Sequence, residues 1–424
     1  MMQTREFSPV PWCYHTNIYE VNVRQYTAEG TFAAFGQHLP RLAAMGVETL
    51  WFMPITPIGV PKRLGTLGSY YACSSYVQTN PEFGTIDDFK TLVHQAHALG
   101  MKVIIDWVAN HTGYGHEWME GRKRDYYDLS PSGNFQERNG WEDVADLDYG
   151  NNDMRREMIE SMQFWVKTCD IDGFRCDMAH LVPLDFWFEA RRQCDAVKPL
   201  FWLAETEDEA YHAAFDATYA WEWMHTTEKF FTSTQTNTVL DAVLSKYEDR
   251  YPKPSFKMFF TSNHDENSWN GTEWEKYGAA ALPLFVLGAM WSGIPLIYSG
   301  QELPNTKRLS FFDKDEIAWT NELQFEPFYT ALLQLRKRNK AAGGPNGSGA
   351  TFRLPVSNER VFCFLRQHNN QQVLVLLNFT NETQSFYMND ERIAEGIKEI
   401  FTQQLLPKDR KIVLPPFGYQ VYEK

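Results

Sequence analysis

No apolar run in this 424-residue chain approaches the length of a bilayer span, and the opening MMQTREFSPVPWCYH has no apolar core of the kind a secretion signal needs. The expectation is a cytoplasmic protein without a membrane partner; removal of a leader peptide would make it periplasmic or secreted instead. Cysteine is sparse. The six residues Cys13, Cys73, Cys169, Cys176, Cys194 and Cys363 show no CxxC or other metal spacing, so neither a thiolate metal centre nor a disulfide framework is expected. Cationic residues are outnumbered, with 40 Lys and Arg against 54 Asp and Glu, and the net charge of −14 would repel nucleic acid and anionic lipid alike. A neutral partner fits better. Internal repeats, low-complexity tracts and long charge runs are missing as well. The sequons at Asn378 and Asn381 read as turn chemistry in a chain without disulfides.

Aromatic residues, in contrast, are abundant at 15%, with 14 Trp, 20 Tyr and 30 Phe. Most must fill core, but the same flat faces stack on sugar rings. Eight short apolar segments predict strands over Ile18–Val23, Glu48–Met53, Lys102–Asp106, Gly173–Asp177, Leu200–Glu205, Phe215–Tyr219, Lys257–Ser262 and Pro295–Ser299. Helical patterns separate them over Phe32–Ala44, Asp87–Leu99, Asn152–Cys169, Leu184–Val197, Thr238–Tyr247, Glu275–Trp291 and Asn321–Lys340. Eight strands alternating with helices predict an α/β fold, a (β/α)8 TIM barrel. The stretch 112–150 is too long for a plain loop and is expected to form a small excursion domain after the third strand. Past the turn-rich AAGGPNGSGA (341–350), alternating runs predict a C-terminal antiparallel β-sandwich domain. The expected division is a barrel over 1–111 and 151–345, an excursion over 112–150 and a β domain over 346–424.

Four of the strand ends carry the chemistry: DWVANH (106–111), GFRCD (173–177), WLAE (202–205) and FTSNHD (260–265). In a parallel barrel such ends emerge at one face. Glycoside cleavage needs one carboxylic acid to protonate the leaving oxygen and one carboxylate to attack or support the sugar cation. Asp177 and Glu205 can supply that pair. Arg175 shares a strand face with Asp177 and is expected to hold it ionised, while the apolar run before Glu205 suits a raised pKa and a general acid. Asp265 adds a third carboxylate, and His111 and His264 suit sugar hydroxyls. Taken singly, each of these residues reads more readily as a helix cap or a structural ion pair; their ordered joint appearance does not.

By these four segments the chain resembles glycoside hydrolase family 13, the α-amylase family, over nearly its whole length. The resemblance implies that Asp177 is the nucleophile, Glu205 the acid/base and Asp265 the group that distorts the sugar, with Asp106, His111, Arg175 and His264 around the substrate. Tyr71 stands where the family places a stacking aromatic, although the neighbouring residues depart from its pattern at Ala72 and Ser75. His180 and Trp269 are expected as further substrate contacts, with Trp202, Trp221 and Trp223 as weaker stacking candidates. Asn110 and Asp146 match two ligand positions of the family's calcium site, positions that calcium-free relatives share, and Leu181 replaces a ligand His and offers only its carbonyl. Calcium is thus the expected ion, and no organic cofactor is expected. The implied activity is retaining hydrolysis of α-1,4 bonds in starch or maltooligosaccharides. The alternatives are a transglycosylase such as a 4-α-glucanotransferase and, from another class, a non-catalytic binding scaffold.

Overall fold

The computed structural model describes residues 6–320, 322–344 and 350–424, with Arg122 by its backbone only. The eight apolar segments form parallel strands at Ile18–Val21, Thr49–Phe52, Lys102–Trp107, Gly173–Cys176, Phe201–Ala204, Ala217–Tyr219, Phe256–Phe259 and Ile294–Tyr298. They run in chain order around a closed barrel, the last pairing with the first through Ile18 and Leu296. Because side chains alternate along a strand, each strand serves two cores. Ile18, Trp51, Ile104, Leu203, Met258 and Leu296 fill the barrel interior. Their neighbours, among them Leu50, Val103, Phe174 and Trp202, pack outward against the helices. Gly173 is required where two strands nearly touch, since a Cβ there would lie 2.1 Å from the Phe201 carbonyl oxygen.

The helical layer differs from expectation at several points with local causes. The pattern over Phe32–Ala44 is two helices, Phe32–Gly36 and Leu39–Met45, because Pro40 has no N–H to continue the first into the second. The Glu275–Trp291 pattern divides at Gly278, whose φ of 53° ends one helix before Ala281–Met290 begins. The helix Trp221–Phe231 was not anticipated; its N-cap is Ala220, which makes no side-chain cap, so the usual start signal is missing. The last helix is Glu326–Arg338, later than its expected start at Asn321, because Pro327 has no N–H to bond back to a preceding turn and so sits in the first turn; Asn321 itself and the domain boundary at 345/346 lie outside the described residues.

After the third strand the chain leaves the barrel and makes a two-stranded antiparallel pair, His111–Gly113 with Val144–Asp146, before rejoining it at the helix Asn152–Cys169. The C-terminal region is a five-stranded antiparallel sheet facing a two-stranded one, with Leu365, Leu376, Phe386 and Leu414 between them. The other face of the larger sheet covers the barrel's helical shell, where Phe364 lies 5.0 Å from Trp291. Asn378 is buried and its amide bonds the surrounding turn, as the turn reading of its sequon expects. Cys73, Cys169, Cys176, Cys194 and Cys363 are buried free thiols, and Cys13 is buried too. Among the described residues no helix is long and apolar enough to cross a membrane.

Candidate active site

Asp106 and Arg175 are register partners on the third and fourth strands, so strand alternation sends both side chains inward. Arg175 Nη1 donates to Asp106 Oδ1 at 2.9 Å and to Asp177 Oδ1 at 2.8 Å. Its Nη2 stands 2.8 Å from Glu205 Oε2, at the end of the fifth strand, and its Nε donates to the Tyr219 hydroxyl at 3.0 Å. Arg175 thus meets Asp177 as expected, and Asp106 and Glu205 besides. One fully buried guanidinium holds three carboxyl groups, because the barrel converges neighbouring strand ends on a single point. Burial pushes all three carboxyls up, Asp106 to about 7, while Arg175 pulls each back. Glu205 is raised by burial, as expected of a general acid; Asp177 is raised by burial too, with the Arg175 charge and hydrogen bond working against the shift.

The fourth segment places His264 at the centre of a second cluster. Its Nε2 lies 2.7 Å from the Tyr71 hydroxyl and 3.3 Å from Asp265 Oδ2, and its Nδ1 lies 2.5 Å from Glu20 Oε1. Burial works against its charge, but Asp265 and Glu20 outweigh burial and lift it to about 9. The Tyr71 hydroxyl donates to Asp106 Oδ2 at 3.1 Å, joining the two clusters, and its ring stacks on His264 at 5.4 Å. His111 is different: burial lowers it to about 4, so it presents a neutral imidazole.

A cavity of about 420 Å³ opens over these groups and is lined by Asp177, Glu205, Asp265 and His111. Its aromatic lining comes from Tyr71, Trp141, Trp269, Phe311 and Phe312. Trp269 sits in a π-helical turn over Glu266–Asn270, directly after Asp265, and remains 53% exposed. Such turns are rare and concentrate at functional sites. Met178, after Asp177, adopts a left-handed backbone (φ 39°, ψ 45°) and donates its N–H to Glu205 Oε2 at 2.9 Å. Sequence reasoning missed Glu20, Trp141, Phe311 and Phe312. The last three arrive on loops whose course no local pattern sets. Glu20 did leave a signal, a carboxylate inside the buried run IYEV.

Other expected contacts are not brought together. His180 is exposed and does not line the cavity; its carbonyl accepts from the Tyr211 hydroxyl at 3.2 Å, an element-end role. Trp202 and Trp223 are buried in the core and Trp221 packs against Tyr219, so none of the three offers a face to the cavity. Asn110 Nδ2 donates to Asp146 Oδ1 at 3.3 Å, while Asp146 Oδ2 accepts from the Arg138 backbone at 3.1 Å. Calcium takes six to eight oxygen ligands. Among the described residues no group of three or more His, Cys, Asp or Glu side chains converges to hold a metal. Here the amide turns its N–H₂ to the carboxylate and each carboxylate oxygen already accepts one hydrogen bond, so this pair as arranged does not fit that ion.

The alpha amylase catalytic-domain family matches residues 15–341, and the maltogenic amylase C-terminal domain family matches 353–421. The α-amylase MalA of Haloarcula japonica is 27% identical over 89% of this chain, which spans 57% of that relative's length; a cyclomaltodextrinase of Geobacillus thermopakistaniensis is 23% identical over 91% of this chain and 68% of its own. Among solved structures, an α-amylase from Lactobacillus plantarum superposes with a TM-score of 0.86 at 29% identity, covering 97% of this chain and 99% of that one. A noncanonic maltogenic α-amylase from Thermotoga neapolitana gives 0.85 at 30% identity, covering 97% and 96%. With its barrel and its C-terminal sheet domain both matched, the chain belongs to the α-amylase family of glycoside hydrolases.

Proposed function

We propose that this protein hydrolyses α-1,4-glucosidic bonds of maltooligosaccharides and related α-glucans with retention of configuration. The observation that carries the reading is the single guanidinium of Arg175 shared by Asp177 and Glu205, on adjacent strand ends of an aromatic-lined cavity. Asp177 attacks the anomeric carbon while Glu205 protonates the departing glycosidic oxygen, and the glycosyl ester is then cleaved by a water that Glu205 deprotonates. Five buried or half-buried carboxyls (Glu20, Asp106, Asp177, Glu205, Asp265) meet only two cations, Arg175 and His264. Keeping a proton among them is therefore favourable, and a site that retains a proton near neutrality can deliver it to a leaving group.

Asp265, His111 and His264 bind sugar hydroxyls, Tyr71 lies beneath the ring at the cleavage point, and Trp269 with Phe311 forms a stacking wall. Relatives named cyclomaltodextrinase and maltogenic α-amylase support a preference for short or cyclic maltooligosaccharides over long polymer. Buried free thiols support a reducing, cytoplasmic setting for that chemistry. The test is digestion of maltoheptaose, a cyclodextrin and soluble starch, with products separated by chromatography and the first-formed anomer read by NMR. The α-anomer is expected. A β-anomer would overturn retention, and transfer to added maltose in excess of hydrolysis would favour a glucanotransferase.

A further inference from the structure

Glu20 enters the account above only as one of the carboxyls that share the site's charge, yet it sits on the first barrel strand with its side chain wholly buried. Oε1 is 2.5 Å from His264 Nδ1, and Oε2 is buried without a hydrogen-bond partner. A buried carboxyl with a single direct partner depends on that partner for its charge. We propose that Glu20 is a positioning residue that keeps His264 doubly protonated, so that its Nε2–H is always a donor toward Asp265 and the bound sugar.

Hydrogen-bond accounting on the imidazole leads there. The Tyr71 hydroxyl spends its proton on Asp106 Oδ2, so toward His264 it can only accept. Asp265 Oδ2, at 3.3 Å, also accepts. Nε2 must therefore carry hydrogen. Nδ1 faces the Glu20 carboxyl, and if that carboxyl is ionised Nδ1 must carry hydrogen too. Burial and Arg175 oppose the extra proton, and the Asp265 and Glu20 carboxyls outweigh them; Asp106, Asp177 and Glu205 also interact with His264, although burial raises each of them. The remaining neighbours, Trp51, Tyr71 and Phe311, are neutral rings. The proposal rests on the glycosidase reading for its kinetic consequence but not for the protonation itself.

The test is Glu20→Gln, which keeps the shape and removes the charge. In the native protein, ¹⁵N NMR of the His264 ring should show both nitrogens protonated through pH 8; in Glu20→Gln the ring should titrate below pH 7. Activity on maltooligosaccharides should fall on the order of ten- to a hundredfold at pH 8, the worth of a charge-assisted hydrogen bond. It should recover toward the native value near pH 5.5, with kcat affected more than KM. Adding Glu20→Gln to His264→Gln should cost nothing further. An unchanged ring titration, or a loss equally large in the His264→Gln background, would overturn the proposal. The NMR result decides it even if the protein cleaves no α-glucan.

Discussion

The amide of Met178 points at the Glu205 carboxyl from a backbone that only glycine, asparagine and aspartate adopt readily, so local strain and the orientation of Glu205 are tied to one peptide. A β-branched side chain at this position is expected to be worse than methionine. Met178→Val should lower unfolding stability by about 1–2 kcal/mol and reduce kcat, as read by thermal unfolding and initial rates. Met178→Asn should keep the left-handed turn and most of the activity. Equal behaviour of the two variants would remove the backbone from the account.

The two carboxylates of the proposed mechanism are separable by leaving group. Asp177→Asn should lose activity on the order of 10⁴-fold or more on every substrate. Glu205→Gln should fail on maltooligosaccharides yet release a burst of phenol from an activated aryl maltoside, whose phenolate needs little protonation. Azide should then speed turnover of the Glu205 variant, because a small anion attacks without a base. Azide rescue of the Asp177 variant with retained configuration would reverse the roles.

The barrel was legible because its strands are covered on both faces, so apolar runs such as KVIID and FWLA stand out without tertiary information. Asp106, Arg175, Asp177, Glu205 and His264 were legible for the same reason: each is polar at the end of a run that is otherwise buried. What Arg175 holds was not legible. Strand neighbours around a closed barrel share no sequence proximity, and three-way sharing follows from register alone. Phe311 and Trp141 reach the cavity from loops, where no periodicity marks direction, and the π-turn that presents Trp269 has no sequence signature.

Asp146 and Asn110 bear on the metal. Their side chains bond each other and the Arg138 backbone, so Asn110 turns an N–H₂ rather than an oxygen toward the pair, and one carboxylate falls far short of the six to eight oxygens calcium takes. Chelation is therefore expected to leave the melting temperature unchanged. A fall on chelation that calcium reverses would show a ligand bound by the folded state and would sink this expectation.

Glu273 offers a stability test away from the reacting groups. Its buried carboxyl accepts from Thr261 Oγ1 at 2.7 Å and Gln301 Nε2 at 2.6 Å, and burial outweighs these bonds and lifts it to about 7. The folded state thus holds a proton that the unfolded chain has already released above its ordinary value of 4.5. Stability tied to this group must fall as pH rises from about 4.5 to about 7, and above that the penalty is complete. Glu273→Gln removes the charge and keeps an oxygen for both donors. Urea unfolding should then show the variant gaining on the order of 1–3 kcal/mol relative to the native protein between pH 5 and pH 8. A constant difference across that range would mean Glu273 stays ionised throughout, its two donors having offset burial.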